Sequence, residues 1–567
     1  MKLQVASSFL FLSLLGEAAA FSPSAALKSK DSALFSSTAS STTGGSSTKE
    51  LPQIQHRDTF DRDAWIGGFS NVPEEICYEL PADFPKDIRG TFYQNGHGKF
   101  QVGDEIVVHP FDGDGHIAAV TFDNGKAWFR NRYVETKGFL DEWNANKVKY
   151  RGVFGTAKNK GKWWSNIFDI KLKNVANTHV LFRHGEQRLF ALWEAGLPHE
   201  IDPITLETKG ETDLDGTLAD VKQYAAHYKI DPSTGNICNF VIGQGKEDPL
   251  KEHTLYVMEH DQRGNLLYKE SHVFPRVGLN HDCAITDHYF VFFQTPTSVD
   301  PLPFVLGQKG IGQCFDFDNG AASSTLVLVP RGKGEPIEIE IPKSFTFHTG
   351  NAFEDPSDGT IVVDTIIADN MLLAADGDKG YPEKPVWETI DLQNEMVPYQ
   401  LRRIRVDPKS KTFLSQHSMT DAAKTVEFPM VHPNYVGKPY RYTYCGASPS
   451  DTIMSPIQGI CKIDVEAGEI IQKWLPPQPE CFLGELSFVP RTNSDEEDDG
   501  YLVGFMLNGK EKLSTLVVFD AKNVAQGPIQ ECRLETFIPH ALHGTFVTDF
   551  VPSMTEKVQT AYPPKRE

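Results

Sequence analysis

The chain has 567 residues, of which 40% are hydrophobic and 23% are charged, values that are ordinary for a soluble globular protein. Its formal net charge of −21 at pH 7 argues against a nucleic-acid partner, because binding to phosphates requires an excess of Lys and Arg. The same charge argues against polybasic attachment to anionic lipids. The eight cysteines contain no CxxC pair, so neither a disulfide scaffold nor a thiolate zinc site is expected.

The N-terminal segment has the pattern of processing signals. In residues 1–20, Lys2 precedes an apolar stretch that ends in the small residues 18–20, which predicts a secretory signal peptide. Residues 21–50 are rich in Ser, Thr and Ala, which is typical of a transit peptide and cannot form a core. We therefore expect residues 51–567 to form the folded domain, without a membrane-spanning helix, because no later apolar run is long enough.

The order of these two segments predicts a destination. A signal peptide followed by a Ser/Thr/Ala-rich segment, with Phe21 at the junction, resembles the two-part plastid leader of algae with secondary plastids. The resemblance implies a plastid location for the mature protein. The secretory pathway is the alternative, although it gives the second segment no role.

The rest of the chain reads as a series of β-hairpins, because apolar residues alternate with polar ones and long 3.6-residue periods are scarce. Residues 117–122 and 126–133 flank Asn124-Gly125, a strong hairpin turn. Three further strand–turn–strand patterns are residues 254–260 with 266–274, 325–330 with 335–341, and 501–507 with 512–519. The expected helices are insertions, at residues 216–227 and in parts of 143–174.

A recurrent turn suggests how the hairpins are arranged. An Asp followed by a short polar segment ends one strand after another, and side chains of this kind hydrogen-bond the backbone of the following turn. The residues in question are Asp202, Asp231, Asp261, Asp407 and Asp464. Repeated four-stranded units over roughly 500 residues are typical of a β-propeller, whose blades run about 40–50 residues. The spacing is irregular, so stacked β-sandwiches remain an alternative on this observation.

Four of the 18 histidines share a setting on or beside short apolar strands: His227, His281, His348 and His543. They are too far apart in the chain for one helix or loop to gather them. In a propeller, the inner strands of different blades converge on the axis, where such residues could form a metal site. No HExxH motif and no Walker A motif competes with this interpretation.

Longer strings of residues indicate a family. They occur in the order HPFDGDGHI (109–117), NRYVETKGF (131–139), ANTHVLFRHGEQRLFALWEAGLPHEIDPITLETKG (176–210), AAHYKIDPSTG (225–235), NHDCAITDHYFVF (280–292), FHTGNAFED (347–355) and LHGTF (542–546). From about Asp58 to Val551 the chain resembles the carotenoid cleavage dioxygenase (carotenoid oxygenase) family. It departs from the family's usual pattern at Tyr228, where many members have Pro, and at Cys283, where Phe is usual.

The resemblance implies an all-β fold, a seven-bladed β-propeller with a helical cap over a metal on the axis. It implies that one Fe(II) is bound by His227, His281, His348 and His543, each of which falls in a ligand string of the family. The family supports its ligands with three glutamates, and the matching positions are Glu194, Glu427 and Glu485. Thr178 matches a position beside the open coordination site. His540 and His288 match no ligand position.

The implied activity is oxidative cleavage of a C=C bond of a carotenoid or apocarotenoid by dioxygen, which gives two carbonyl products. Such a substrate dissolves in membranes, so peripheral membrane contact through apolar residues is expected. Within the family, a retinoid isomerohydrolase or a stilbene-cleaving dioxygenase is the alternative. If the protein is not an enzyme, the alternative is a binding scaffold in which the propeller holds a structural metal. A scaffold does not need an Fe(II) site with open coordination positions, so the intact set of histidines and glutamates argues against this alternative.

Overall fold

The computed structural model describes residues 53–159, 162–244, 252–276, 278–317, 320–370, 381–492 and 494–554. The signal peptide and the transit-peptide-like segment lie outside these residues, so both remain predictions. Among the described helices, none combines the length and the apolar composition that crossing a bilayer would require.

Strands dominate the described part of the chain. In chain order they are β1 (Cys77–Glu79), β2 (Gly90–Lys99), β3 (Gln101–Val102), β4 (Glu105–Ile106), β5 (Asp114–Asp123), β6 (Lys126–Tyr133), β7 (His179–Arg183), β8 (Arg188–Leu192), β9 (His199–Ile201), β10 (Thr208–Glu211), β11 (Lys229–Ile230), β12 (Ile237–Gln244), β13 (His253–His260), β14 (Leu266–Phe274), β15 (Ala284–Ile285), β16 (Tyr289–Gln294), β17 (Ser298–Val299), β18 (Phe315–Asp316), β19 (Ser323–Pro330), β20 (Ile337–Pro342), β21 (Phe345–Glu354), β22 (Ile361–Ala368), β23 (Gln400–Asp407), β24 (Thr412–Ser418), β25 (Val426–Met430), β26 (Tyr442–Ala447), β27 (Gly459–Asp464), β28 (Glu469–Trp474), β29 (Cys481–Pro490), β30 (Gly500–Asn508), β31 (Leu513–Asp520), β32 (Gln530–Arg533) and β33 (Gly544–Thr548).

Helices are few and short in the same residues. The α-helices are α1 (Arg62–Gly67), α2 (Lys137–Ala145), α3 (Leu302–Val305), α4 (Val386–Thr389) and α5 (Leu392–Glu395), and single 3₁₀ turns lie at Pro110–Asp112, Trp163–Asn166, Ile311–Cys314, Pro433–Tyr435 and Val524–Gln526. The expected helical cap is therefore represented only by short pieces, of which α2 is the longest with nine residues.

Seven antiparallel sheets form the blades of a propeller. Blade 1 has five strands in the order β1-β6-β5-β2-β33, and blades 2, 3, 5, 6 and 7 are β7–β10, β11–β14, β21–β24, β25–β28 and β29–β32. Blade 4 has the order β15-β16-β19-β20, with the small hairpin β17-β18 inserted between its strands. The end strands of neighbouring blades also contact each other: β33 with β7 and β29, β21 with β15 and β25, and β25 with β29. These strands line the axis, which confirms the seven-bladed propeller.

The core lies between blades. Each of seven buried clusters joins the facing surfaces of two neighbouring blades, and together the clusters link blade 1 through blade 7 and back to blade 1. Phe92, Val120 and Phe129 of blade 1, for example, pack against Val503 and Leu516 of blade 7. Closure of the ring is therefore stabilised by apolar burial at every joint.

The turns account for the repeated hairpins. Asn124 and Gly125 both have positive φ (47° and 84°), the backbone of a type I′ turn, which matches the twist of β5 and β6. The five Asp side chains singled out in the sequence each accept a hydrogen bond from a backbone N–H two residues further on. The predicted Asp turns are thus confirmed as local hydrogen-bonded caps of strand ends.

The prediction of a helix over residues 216–227 is wrong, because this segment consists of turns and irregular backbone. Within this segment Gly216 and Lys222 have φ values of 89° and 53°, and such left-handed residues interrupt a helix. Of the helix expected in residues 143–174, only the end of α2 and the 3₁₀ turn Trp163–Asn166 are present among the described residues.

Candidate metal centre

Four blades deliver the four singled-out histidines to the axis. His227 lies two residues before β11 of blade 3, His281 lies three residues before β15 of blade 4, His348 lies in β21 of blade 5, and His543 directly precedes β33 of blade 1. The register of β21 against β22 shifts between Thr346 and Thr349, across His348, and again between Thr349 and Asn351. The ladder is therefore interrupted at the position where this side chain turns toward the axis.

The four rings form one compact group. One ring nitrogen from each histidine lies within 4.8 Å of the corresponding nitrogen of the other three. The Nε2 atoms of His227 and His281 are 2.9 Å apart, and the ring centroids of His227 and His543 are 4.4 Å apart. Histidines that are separated by more than 300 residues in the chain (His227 to His543) therefore form one cluster of nitrogen donors in the fold.

Three of the histidines bond a carboxylate through Nδ1. Glu194 Oε2 lies 2.6 Å from Nδ1 of His281, Glu427 Oε2 lies 2.6 Å from Nδ1 of His348, and Glu485 Oε1 lies 3.0 Å from Nδ1 of His543. The bonds of Glu194 and Glu427 are as short as charge-assisted hydrogen bonds, and that of Glu485 has an ordinary N–H···O length. They place the proton on Nδ1 and leave the Nε2 lone pair for the centre, as second-sphere carboxylates do in metal sites.

The glutamates come from the three remaining blades. Glu194 follows β8 of blade 2, Glu427 lies in β25 of blade 6, and Glu485 lies in β29 of blade 7. The four histidines and three glutamates therefore draw one residue from each of the seven blades. The glutamates differ in solvent contact: the side chain of Glu194 is 42% exposed, whereas those of Glu427 and Glu485 are 15% and 14% exposed.

The fourth histidine has a different environment. Nδ1 of His227 lies 4.0 Å from Asp282, too far for a hydrogen bond. Asp282 is instead occupied by the Lys229 ammonium at 2.8 Å and by the backbone N–H of Thr349 at 2.8 Å. His227 is thus the member of the group without a bonded carboxylate.

Burial sets the protonation of the cluster. Burial and the neighbouring imidazoles hold the pKa of His227 and of His348 well below the usual range, so both are neutral at pH 7. Burial also acts to lower the pKa of His281, but the Glu194 carboxylate outweighs it and the pKa is raised. Burial raises the pKa of Glu427 to about 7. At Glu485, burial acts upward, but His543 overcomes it and lowers the pKa.

The structure adds residues that the sequence patterns did not single out as part of the site. His179 contacts the carbonyls of Ala226 (2.9 Å) and Gly544 (3.3 Å), which flank two of the clustered histidines. Asn95 donates its backbone N–H to the carbonyl of His543 at 3.0 Å and its side-chain amide to the carbonyl of His179. These residues hold strand ends in place, and no motif or spacing in the sequence could have identified them.

Thr178 lies beside His543, because its backbone carbonyl accepts a hydrogen bond from the His543 N–H at 3.2 Å. His540 and His288 stand outside the group. The Nε2 atom of His540 bonds the carbonyl of Trp65, and exposed His288 bonds Glu354. The string-based choice of His543 over His540 therefore agrees with the observed cluster.

Aromatic rings enclose the cluster. Phe347 stacks on His281 with ring centroids 4.0 Å apart, and Phe428 lies 5.6 Å from His543 and 5.7 Å from His348. A cavity of about 200 Å³ lies beside the cluster, and Phe428 and Leu542 are among the residues that line it. Its lining is mainly apolar and includes Phe111, which stacks on Phe347. The cluster therefore borders a mainly apolar cavity, and small-molecule sites are lined in that way.

The donor set fits a transition metal. The Nε2 atom of buried His348 has no hydrogen-bond partner among the described residues, and an unsatisfied buried nitrogen is costly unless something binds it. Four imidazoles suit iron, copper, nickel or zinc and do not suit calcium or magnesium, which prefer oxygen ligands. Four nitrogens also leave positions of an octahedron open for further ligands.

Comparisons with known proteins agree with this site and fold. Residues 69–548 match the family model described as "Retinal pigment epithelial membrane protein". The chain is 37% identical to an apocarotenoid-15,15'-oxygenase of Synechocystis over 492 residues, which cover 85% of this chain and 96% of that protein. It is 32% identical to a lignostilbene-alpha,beta-dioxygenase of Sphingomonas paucimobilis (82% and 93% covered) and 30% identical to a carotenoid 9,10(9',10')-cleavage dioxygenase of Pisum sativum (86% and 90% covered).

A solved structure shares the whole architecture. The crystal structure of cobalt-substituted Synechocystis ACO superimposes with a TM-score of 0.79 at 35% identity, and the match covers 87% of this chain and 100% of that one. The family model and these relatives cover nearly all of the described propeller. The chain is therefore a member of the family that unites retinal pigment epithelial membrane protein with the carotenoid oxygenases.

Proposed function

We propose that this protein is an Fe(II)- and dioxygen-dependent enzyme that cleaves a C=C bond of a carotenoid or apocarotenoid to give two carbonyl products. The observation that carries the proposal is the group of four imidazoles on the propeller axis, three of them bonded to carboxylates. The relatives named as apocarotenoid and carotenoid oxygenases support the substrate class.

The choice of iron follows from the reaction. Zinc suits imidazole ligands but has no redox chemistry, whereas dioxygen needs a redox-active partner before it reacts with a closed-shell polyene. Fe(II) held by His227, His281, His348 and His543 would supply that activation at its open positions. The solved relative is a cobalt-substituted form, so that protein accepts cobalt, a first-row transition metal like iron.

The chain's own residues have three tasks in this scheme. Glu194, Glu427 and Glu485 hold a proton on Nδ1 of their histidines, direct each Nε2 lone pair inward and balance the charge of the metal. Phe347 and Phe428 keep bulk water from the centre. The neighbouring apolar cavity binds the polyene by burying its surface.

We assign Thr178 the task of narrowing access to the open coordination position. Its contact with His543 supports this role. Replacing Thr178 with Ala, which removes the hydroxyl and one methyl group, is expected to admit water and to increase oxygen consumption that yields no cleavage product. An unchanged ratio of oxygen consumed to product formed would contradict the assignment.

Labelled dioxygen provides the test of the reaction. Iron-loaded protein is incubated with an apocarotenal under ¹⁸O₂, and the products are identified by mass, with correction for exchange with water. Cleavage with ¹⁸O in the new carbonyl is expected, because each half of the broken C=C bond needs an oxygen atom. Anaerobic conversion of a retinyl ester to a cis-retinol without cleavage in air, or cleavage of stilbenes alone, would replace the proposal with the corresponding family alternative.

We also propose that the protein contacts membranes through an apolar patch formed by Trp164, Ile167, Phe168 and Leu302. Trp164 and Leu302 are each 57% exposed and Phe168 is 76% exposed. The two segments of the patch meet where the Phe168 N–H donates to the carbonyl of Val305. A cluster of large exposed apolar side chains is typical of surfaces that bury themselves in a bilayer or partner.

Liposome flotation tests this surface. Wild-type protein is expected to float with neutral phosphatidylcholine vesicles, and Phe168→Asp is expected to reduce the bound fraction strongly, because an acidic residue at the patch resists burial. Leu414→Asp is the matched control, since Leu414 is 49% exposed on β24 and lies outside the patch. Equal flotation of the two variants would contradict the proposal.

A further inference from the structure

His227 is held differently from the other three clustered histidines. Its Nδ1 atom lies 4.0 Å from Asp282, so no carboxylate fixes this ring in the way that the three glutamates fix the other rings. The direction in which its Nε2 atom points is therefore set by its backbone and by the rings around it. The contacts of the two flanking residues, Ala226 and Tyr228, show what holds that backbone.

The residue before His227 is bonded to blade 2. The Nδ1 atom of His179, the first residue of β7, lies 2.9 Å from the carbonyl oxygen of Ala226. A carbonyl oxygen can only accept a hydrogen bond, so this nitrogen carries the proton and donates it. The peptide group that joins Ala226 to His227 is thereby attached to a strand of the neighbouring blade.

The residue after His227 is bonded to the same strand. The Tyr228 hydroxyl donates to the carbonyl of Val180 at 2.9 Å, and the Tyr228 ring stacks on the His179 ring with centroids 5.1 Å apart and planes 19° apart. Tyr228 is 8% exposed, and burial raises the pKa of its hydroxyl, so the group stays protonated and able to donate. Both neighbours of His227 are thus attached to β7 through consecutive residues of that strand.

The ring on which Tyr228 stacks lies between two of the clustered histidines. The centroid of the His179 ring is 6.2 Å from that of His227 and 5.5 Å from that of His543. Its Nε2 atom lies 3.3 Å from the carbonyl oxygen of Gly544, the residue after His543. A displacement of Tyr228 would therefore be transmitted to the backbone on both sides of His227 and to the neighbourhood of His543.

We propose that Tyr228 is a positioning residue of the metal centre, which fixes the direction of the His227 ring by anchoring its hydroxyl on Val180 and its own ring on His179. The orienting role that a carboxylate has for the other three histidines is taken for His227 by this tyrosine. Many members of the family have Pro at this position, and Pro has neither an aromatic ring nor a hydroxyl, so the attachment depends on Tyr in this chain. The inference rests on the proposed function only for the identity of the metal as iron.

The alternative is that Tyr228 only fills space. It belongs to the core between blades 2 and 3, and a residue that merely fills a core contributes to stability without changing the geometry of metal ligands. The two roles therefore differ in what a substitution does to the bound metal, and both predict some loss of stability.

Two substitutions separate the contacts of Tyr228, and a third provides a control. Tyr228→Phe removes the hydroxyl and keeps the stacked ring, whereas Tyr228→Leu removes both. Tyr444→Phe is the matched control, because Tyr444 is 1% exposed and its hydroxyl donates to the carbonyl of Ala521, also at 2.9 Å. Tyr444 packs in the core between blades 6 and 7, so its substitution removes a comparable bond from a different joint.

The probe is Co(II), which a solved relative accepts and whose d–d absorption depends on the geometry of its ligands. For each variant we measure this spectrum, the rate at which excess chelator removes Co(II), and thermal unfolding of the metal-free protein. Loss of one hydrogen bond corresponds to about a two- to tenfold change, so Tyr228→Phe should release Co(II) about two- to tenfold faster and shift the d–d bands. Tyr228→Leu should exceed both changes. Tyr444→Phe should lower the unfolding temperature as Tyr228→Phe does, with the spectrum and release rate of the wild type.

Wild-type spectra and release rates in the Tyr228 variants would show that Tyr228 only fills the core, and would overturn the inference. Equal changes in Tyr228→Phe and Tyr444→Phe would overturn it as well, because the effect would then not depend on the neighbourhood of His227. If Tyr228→Leu does not fold, the comparison of the two Phe variants decides the question.

The same proteins separate this inference from the proposed function. If the iron-loaded wild type cleaves no carotenoid or apocarotenoid while Tyr228→Phe still changes the cobalt spectrum and release rate, the proposed reaction fails and the positioning role stands. If the wild type cleaves its substrate and Tyr228→Phe has the spectrum and release rate of the wild type, the reaction stands and the positioning role fails.

Discussion

Replacing each of the three glutamates with Gln is chemically the same change, but the geometry predicts three different results. Among the described residues Glu194 bonds His281 alone, and its side chain is 42% exposed. Glu427 uses one oxygen, Oε2, for both His348 and the Phe428 N–H. Glu485 uses both oxygens, Oε1 for His543 and Oε2 for the Gly544 N–H. A Gln side chain has one oxygen, so it can replace Glu427 but cannot fill both contacts of Glu485.

The magnitudes follow from these contacts. Loss of an orienting carboxylate lowers metal affinity by about 10–100-fold, and we expect about tenfold for Glu427→Gln, where the oxygen contacts survive without the charge. In Glu485→Gln, the new NH₂ group replaces one of the two accepting oxygens and faces either the Gly544 N–H or the His543 Nδ1–H. Two donors then face each other, and an unsatisfied buried donor costs about 1–3 kcal/mol. Since about 1.4 kcal/mol is tenfold, the total is about 100-fold. Solvent screens exposed Glu194, so Glu194→Gln should lose less than about fivefold.

Competition with a chelator measures the Fe(II) dissociation constant of each variant, and thermal unfolding of the metal-free proteins checks that the fold is intact. The expected order of affinity loss is Glu485→Gln, then Glu427→Gln, then Glu194→Gln. Equal losses at the three positions, or the largest loss at Glu194, would refute the argument from oxygen usage.

Three further predictions concern the metal, acid stability and the leader. His348→Ala should lower the iron content of the purified protein from about one per chain to a small fraction and abolish activity, whereas His540→Ala should keep its iron; an iron-replete His348→Ala enzyme would contradict the assignment. Burial lowers the pKa of His109 and of His116 to about 3, whereas unfolding restores a pKa near 6.5. The unfolded chain therefore binds more protons than the folded one between these values. The free energy of unfolding is highest above pH 6.5 and should fall by about 1.4 kcal/mol per pH unit for each residue as the pH drops toward 3. His116→Phe should remove its share of that slope in unfolding experiments between pH 6.5 and 5, and an unchanged slope would count against it. A fluorescent protein carrying residues 1–50 should reach the plastid of an alga with secondary plastids and be diverted when Phe21 is replaced, while secretion of the unaltered fusion would favour the alternative.

Local chemistry explains why much of the fold could be predicted from the sequence. The Asn124-Gly125 turn and the Asp turns encode strand ends within a few residues, and β13 and β14 end within one residue of the patterns that predicted them. The clustered histidines were singled out by their shared setting on or beside short apolar strands, and the family strings then identified them as ligands, since their positions in the chain carry no spacing rule. The seven-bladed arrangement likewise came from the resemblance, because an irregular series of hairpins is compatible with more than one β fold.

Contacts between distant segments could not be predicted. His179 and Asn95 support the cluster through backbone carbonyls, and such contacts impose no residue pattern. The expected helix over residues 216–227 failed because left-handed residues such as Lys222 (φ 53°) leave no reliable sign in composition.

The strand that closes the propeller also has a consequence for biosynthesis. β33 pairs with β2 across most of the chain, from Gly90↔Thr548 to Gln94↔Gly544, and His543 directly precedes it. On the ribosome, the first four strands of blade 1 emerge long before the strand that completes them, and the fourth imidazole emerges with that strand. A nascent chain that has made six complete blades therefore still lacks a full set of metal donors. Completion of the metal centre is tied to synthesis of this last strand, and chains that terminate before β33 have neither a closed ring nor the full set of four histidines.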